Sequence, residues 1–354
     1  MNVLIIYGGK SCENEISVIT GCLATSYFLG NVFCVYFDKN NKCYLTNGLS
    51  PQQHKSAKFR YEVVFLFGER KIALVRKGRI AKTVNLDVAV NCCHGVCGED
   101  GTVAALCKLT GVPLVGSDIA ASAIAMDKEL CKIMLRAKRF PVLPSVTLFK
   151  NDNVDLSEIK LPVVVKPCNL GSSIGVAVCH TTEQLGRALD VAFCYDNKVL
   201  CENALLDFSE PNCSAMRVNG QIQTSRVDLP VASGEMLSFD DKYIGERKTN
   251  VCNTLCDLSL SDKVRKLTEK IYDALGFSGV VRVDFLLNKT NGKLYVNEIN
   301  SIPGSLAYGL WQDKYSRSEF GRLLTEQALA DRSEQNKLVF DYVSDVLSGK
   351  ISKK

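Results

Sequence analysis

The chain has 354 residues, of which 46% are apolar and 23% charged, with a formal net charge of +5. That is the composition of a soluble globular protein of two or three domains. The basic excess is spread along the chain without interleaved aromatics, which argues against a nucleic-acid partner, and no apolar run reaches the ~18 residues of a membrane span. The opening MNVLIIYGG has one run of strand length and no charged lead, so we expect a cytoplasmic protein without a secretory signal. The 16 cysteines are scattered, with no framework spacing, and read as reduced, mostly buried thiols. The cluster Cys92-Cys93-His94-Gly95-Val96-Cys97 lacks a second ligand pair at finger spacing, which speaks against zinc.

Asn2 to Tyr7 predicts a buried strand, followed by the turn Gly8-Gly9-Lys10-Ser11 and a helix from about Glu13 to Leu29. Strand, glycine turn and helix open an anion- or nucleotide-binding α/β unit. It is not a P-loop, because the first glycine of that motif falls where this chain has Leu4. Asn31 to Asp38 and Lys71 to Val75 alternate as strands. Leu86 to Cys92 predicts another buried strand, leading into HGVCGEDGTVAALCKLTG, a second glycine turn and helix. A first domain therefore covers residues 1–116.

Asp118 to Phe140 predicts a helix containing Lys128, and Ser145 to Phe149 and Pro162 to Lys166 predict strands. The small-residue loop Pro167 to Val176, a helix from Thr181 to Phe193 and a strand from Val199 to Glu202 complete an α+β unit over 117–202. Residues 203–354 form a third region. Its predicted elements are strands at Cys213 to Val218 and Gln221 to Val227, a helix at Ser261 to Leu275, a hairpin, and helices after Ser316.

That hairpin, VVRVDFLL and KLYVNEIN about the turn Asn291-Gly292, carries the most chemistry. Asp284, Glu298 and Asn300 supply oxygen ligands from adjacent strands, a seat for a hard cation such as Mg²⁺. Arg282, two residues before Asp284, shares its face. Two acids and a guanidinium suit a metal-bound polyphosphate; solvated acids on a plain hairpin are the simpler alternative, disfavoured by the flanking apolar runs. In the loop PCNLGSSIG, Gly171 and Gly175 free the backbone, Ser172 and Ser173 offer hydroxyls, and Lys166 precedes it. With Lys128, this suits phosphate.

VVVKPCNLGSSIGV, RVDFLL and YVNEINSIPG, in this order, resemble the ATP-grasp fold. GGKSCENEISVITG, CHGVCGEDGTV, GVPLVGSDIAASAIAMDK and DDKY extend the resemblance to the D-alanine–D-alanine ligase family, from about Val3 to Leu306. The resemblance implies a three-domain fold with a Rossmann-like, preATP-grasp amino-terminal domain. It implies an ATP-dependent ligase that phosphorylates one D-alanine and joins it to the amine of a second, for peptidoglycan precursors. It further implies Mg²⁺ as two ions, with Mn²⁺ as a substitute, and a homodimer.

Carried over by motif, Lys128, Lys166 and Ser173 hold the ATP phosphates, and Glu202, Asn203 and Leu205 meet adenine. Asp284, Glu298 and Asn300 hold the metal. Glu13 binds the ammonium of the first amino acid, with His94 and Glu99 nearby. Arg282 and the amide of Gly304 form the oxyanion site. Ser172 and Tyr243 join Glu13 in a chain of hydrogen bonds that pins a closing loop, and Lys242 reaches the phosphate as the loop closes. Without the resemblance, Glu13 reads as an acid favouring a helix dipole and His94 as a satisfied core histidine.

Several positions depart from the pattern. SCENE has Asn14 where relatives carry a charge, LSFDDKY is shorter than the usual lid, and the acidic ribose contact falls ambiguously on Glu210 or Asn212. Ser305 and Leu306 follow Gly304 directly, without the usual intervening stretch. Either they hold the acceptor carboxylate, or Tyr308 and Trp311 rebuild that pocket. D-serine or another amine acceptor is therefore the alternative to D-alanine, and a nucleotide-binding protein without catalysis is a more distant one. Tyr243 argues against D-lactate.

Overall fold

The computed structural model describes residues 1–46, 50–152, 155–230 and 258–342. Its first sheet has β1 (Asn2–Gly8) between two parallel neighbours, β2 (Asn31–Phe37) and β7 (Val88–Asn91), with β8 (Leu114–Val115) beyond β7. Val3 to Ile6 are fully buried, as a strand covered on both faces requires. β3 (Cys43–Leu45), β4 (Glu62–Leu66), β5 (Lys71–Arg76) and β6 (Arg79–Asn85) extend the sheet antiparallel past β2. Of these only β5 is expected from the sequence. β6 lies almost wholly exposed, so it carries no apolar period to read.

The chain leaves β1 toward β2 on one side and reaches β7 on the other. The crevice at the carboxyl ends of β1 and β7 is thus a switch point, where α/β sheets bind ligands. It receives both glycine turns. α1 (Asn14–Ala24) stops five residues short of the expected Leu29. Thr25 and Ser26 donate their hydroxyls to the carbonyls of Cys22 and Leu23 at 2.7 and 2.8 Å, capping the last turn. The remaining helices of this part are α2 (Pro51–His54) and α3 (Thr102–Thr110).

The expected helix from Asp118 to Phe140 is two helices, α4 (Ile119–Met126) and α5 (Lys128–Ala137). Asp127 takes an extended ψ of 105° between them, and its carboxylate accepts from Glu129 and Leu130 N–H, an N-cap that starts the second helix. Four antiparallel strands follow in the order β11 (Ala177–Cys179), β10 (Val163–Pro167), β12 (Lys198–Asn203), β9 (Ser145–Phe149). α6 (Thr182–Ala192) packs Leu185, Ala188 and Leu189 against their Val163, Val165 and Val199.

In the third sheet β16 (Val280–Asn288) is central. It pairs with β14 (Asn212–Val218) and β13 (Phe208–Ser209) on one edge and β17 (Leu294–Asn300) on the other, with β15 (Gln221–Asp228) outside β14. α7 (Leu258–Ala274) covers it. α4 and α5, though earlier in the chain, bury Ala121, Ala125, Cys131 and Leu135 in this same core. α8 (Arg317–Gln335) closes a shared core in which Phe320 and Leu323 meet Val3, Ile5, Val90 and Val280. The described cysteines are all free, and most are buried. No group of three or more His, Cys, Asp or Glu suited to a metal occurs among the described residues, and none of their helices is long and apolar enough to cross a membrane.

Candidate active site

Asp284 pairs directly with Glu298, and Arg282 with Asn300, across β16 and β17. Residues opposite one another, and residues two apart on one strand, share a face. The four functional side chains therefore form one patch. Arg282 grips Asp284 with two bonds, Nε to Oδ1 at 2.6 Å and Nη2 to Oδ2 at 2.7 Å. Asn300 Nδ2 donates to the same Oδ2 at 3.0 Å. The donor set of two carboxylates and an amide carbonyl is that of a hard-cation site. The guanidinium on Asp284 is itself a cation held where positive charge is wanted. The residues thus fit Mg²⁺.

A register shift after Asp284 leaves Asn297 as the extra residue of β17. Bulges re-aim side chains, and Asn297 Oδ1 accepts from Lys166 Nζ at 3.0 Å. Lys166 also reaches Glu202 Oε2 at 2.6 Å, and Lys132 bonds Glu202 Oε1. Glu202 is 1% exposed. Burial opposes its ionisation, but the two ammonium groups outweigh that and hold its carboxyl below the usual range. Burial in turn lowers the pKa of Lys132. Both Glu202 oxygens are engaged by lysines in this structure. Asn203 and Ala204 give their N–H groups to Pro144 and Pro162 carbonyls. Asn212, on the neighbouring strand β14, pairs opposite Asp284 and so shares its face.

The loop between β10 and β11 crosses the cleft. Ser172 and Ser173 have φ of 54° and 58°, left-handed values costly for non-glycine residues. Ser172 Oγ donates to Glu13 Oε1, 159 residues away in sequence, and Lys128 Nζ donates to the Leu170 carbonyl. Glu13 is buried, and glycines make room for it. A Cβ on Gly171 would lie 2.9 Å from both its oxygens, and one on Gly95 2.7 Å from Oε2.

His94 and Glu99 flank Glu13. Gly95 N–H donates to Glu99 Oε2 at 2.9 Å and Ile302 N–H to Oε1 at 3.3 Å. Burial, reinforced by the nearby Glu13 charge, pushes Glu99 up to about 8. Burial, with Arg282 nearby, pushes His94 down to about 4, so its imidazole is neutral at pH 7. Its backbone N–H donates to Ser17 Oγ at 2.8 Å. Gly304 opens a 3₁₀ segment, Gly304–Leu310. Leu306 is buried in the shared core, and so is Trp311, fully, with Nε1 bonded to Ser214 Oγ at 3.0 Å. Trp311 is therefore core, which removes it from the rebuilt-pocket alternative. Tyr308 is half-buried and donates to the Tyr315 carbonyl at 3.2 Å. Lys242 and Tyr243 lie outside the described residues.

One fold thus brings a phosphate-type loop, a hard-cation seat and a glycine-cleared carboxylate into a single cleft. Residues 2–117 match the family described as D-ala D-ala ligase N-terminus, and residues 134–320 the D-ala D-ala ligase C-terminus. The chain belongs to the D-alanine–D-alanine ligase family. D-alanine–D-alanine ligase of Nitratiruptor is 32% identical over 345 residues, 97% of each chain, and that of Campylobacter concisus 31% identical over the whole of both. The ligase structure from Helicobacter pylori is 26% identical, covers 93% of this chain and 98% of its own, and has a TM-score of 0.76. The Enterococcus faecalis D-Ala:D-Ser ligase VanG, at 24% identity, covers 92% of this chain and 99% of its own with a TM-score of 0.78, a likeness of fold. Like its relatives, this family member is an ATP-dependent ligase of ATP-grasp fold.

Lys132, Asn297 and Thr20 (whose hydroxyl meets His94) escape the sequence reading. Lys132 had a signal. It lies one turn after Lys128, between the buried Cys131 and Leu135, on the apolar face where an unpaired lysine would be costly. Asn297 had none, because a strict two-residue period points it away from Glu298.

Proposed function

We propose that this chain joins two D-alanine molecules into D-alanyl-D-alanine, converting ATP to ADP and phosphate through a D-alanyl phosphate, for peptidoglycan precursors. Glu13 receives the ammonium of the first D-alanine, beside His94 and Glu99. Lys128, Lys166 and Ser173 hold the phosphates, and the segment Glu202, Asn203 and Leu205 lies against adenine. Asp284, Glu298 and Asn300 would hold Mg²⁺, which supplies charge neutralisation on the phosphates when bound. A carboxylate oxygen of the first D-alanine attacks the γ-phosphorus and ADP leaves. The amine of the second D-alanine, its carboxylate held by Ser305 and Leu306, attacks the acyl carbon. Arg282 and the Gly304 amide stabilise the oxyanion, phosphate departs and the amine loses its proton. Lys242 and Tyr243 close over the reaction. Two ions with Mn²⁺ as a substitute, a cytoplasmic homodimer, and the division at residues 116 and 202 complete the reading.

The observation that carries it is the Ser172–Glu13 bond. It joins the loop proposed for the phosphates to the acid proposed for the amino-acid ammonium, which supports a reading in which phosphoryl donor and carboxylate meet there. The test is mass spectrometry of products from ATP, Mg²⁺ and mixed D-amino acids. D-alanyl-D-alanine with one ADP per dipeptide is expected; turnover of another pair with none of D-alanine overturns it.

A further inference from the structure

Thr20 lies in the middle of α1, fully buried, and no role above uses it. Its hydroxyl oxygen is 2.8 Å from His94 Nε2 and accepts the backbone N–H of Ser305 at 3.1 Å. These partners stand in different subsites. His94 belongs to the first amino acid, and Ser305 opens the turn that receives the second. We propose that Thr20 is a positioning residue that couples the two amino-acid subsites, by anchoring the His94 imidazole and the Ser305 turn on one hydroxyl. The inference rests on the acceptor role given to Ser305 and Leu306.

Proton counting fixes the arrangement. A threonine hydroxyl has one proton to give and two lone pairs. Ser305 N–H occupies one lone pair, and the hydroxyl proton goes to Nε2. The neutral imidazole then keeps its own proton on Nδ1, where it is a donor for the first substrate. In the reverse arrangement Nε2–H would donate to Thr20, and the hydroxyl proton would have no other acceptor among the described residues. The backbone amide of His94 is fixed from the same helix, through Ser17 Oγ, which donates to the Glu13 carbonyl at 3.1 Å. α1 therefore sets both the position and the tautomer of this histidine.

The acceptor side needs the anchor for a different reason. Ser305, Leu306 and Ala307 have φ of 52°, 53° and 53°, three successive left-handed residues with side chains. Such backbone persists only where its surroundings over-determine it. Tyr27, just past the end of α1, donates its hydroxyl to the Ser305 carbonyl at 3.3 Å. Both backbone groups of Ser305 are thus held by side chains of one helical segment, and Leu306 is seated in the core beneath.

The test compares Thr20→Val, which keeps the shape and removes the hydroxyl, with Thr20→Ser, which keeps the hydroxyl. With only three histidines in the chain, nitrogen NMR can assign the His94 ring. We expect the parent to carry its proton on Nδ1. We expect Thr20→Val to raise the KM of the second D-alanine about tenfold with the KM of ATP unchanged, and Thr20→Ser to restore it. A merely structural role would lower the folded fraction and leave that KM in place. A His94 proton on Nε2 in the parent, or a Thr20→Val enzyme with unaltered KM for the second D-alanine, overturns the proposal. If Thr20→Val does not fold, the parent's ring signals and the KM of Thr20→Ser decide; a tenfold rise in that KM, with the hydroxyl retained, also overturns it. A parent that joins no D-alanine would refute the substrate reading instead, while its ring signals still decide where the proton sits.

Discussion

The pocket around Glu13 and the turn at Ser305 both shape the cleft, by opposite means. Around Glu13 space is made by deletion. Gly95 and Gly171 stand where a Cβ would press on the carboxylate oxygens. At the turn nothing is deleted. Ser305, Leu306 and Ala307 keep their side chains in left-handed backbone, at about 1–2 kcal/mol each, and the strain is borne by the bonds from Thr20 and Tyr27 and by the buried Leu306. A cleared pocket depends on what is absent nearby. A strained turn depends on a helix 285 residues away in sequence.

The largest expected effect tests what the two regions share. Glu298→Gln would make a charged group neutral at the proposed Mg²⁺ seat, and kcat should fall about 100-fold or more; unimpaired turnover at saturating Mg²⁺ would refute the ligand role. Gly95→Ala attacks the cleared pocket. Its Cβ meets Ser11 Oγ at 2.5 Å and Glu13 Oε2 at 2.7 Å, at a φ of +71°. The KM of the first D-alanine should rise by on the order of tenfold, and stability should fall by about 1–3 kcal/mol, read by initial rates and denaturant titration.

Glu99 gives this pocket a pH signature. Its folded pKa of about 8 lies above the ordinary 4.5, so the folded state binds the extra proton between those values. Stability of the metal-free protein should be greatest below about pH 4.5 in this group's contribution and decline as pH rises through 8. Denaturant titration across that window should show the decline, and Glu99→Gln should flatten it; an equal slope in both proteins would contradict the assignment. Ser305→Gly should have the smallest effect. Relief of strain is offset by the greater freedom of glycine in the unfolded chain, leaving stability within about 1 kcal/mol of the parent while the second D-alanine's KM rises severalfold. A large stabilisation would mean that the turn is held less firmly than the bonds to Ser305 imply.

The same contrast explains what could be read from the sequence. Glycines and serines in PCNLGSSIG and HGVCGEDG advertise turns, and the alternation of RVDF and VNEIN is enough to put Arg282, Asp284, Glu298 and Asn300 on one face. The bulge that turns Asn297 toward Lys166 breaks that alternation and leaves no mark in it. The break at Asp127 was legible only as an N-cap residue inside an apolar run. The left-handed turn at Ser305 was hidden because none of its residues is glycine, and its anchors are remote. β3, β4 and β6 were hidden by their exposure or shortness.

The central claim is that ATP activates a carboxylate in this cleft. D-alanine labelled with oxygen-18 in its carboxylate, incubated with ATP and Mg²⁺, tests it most directly. Attack of that carboxylate on phosphorus leaves one labelled oxygen on the phosphate when the acyl carbon is taken by the amine. We predict one oxygen-18 in the released phosphate for each D-alanyl-D-alanine formed. Dipeptide accompanied by unlabelled phosphate, or ATP consumed with no dipeptide, would contradict the account.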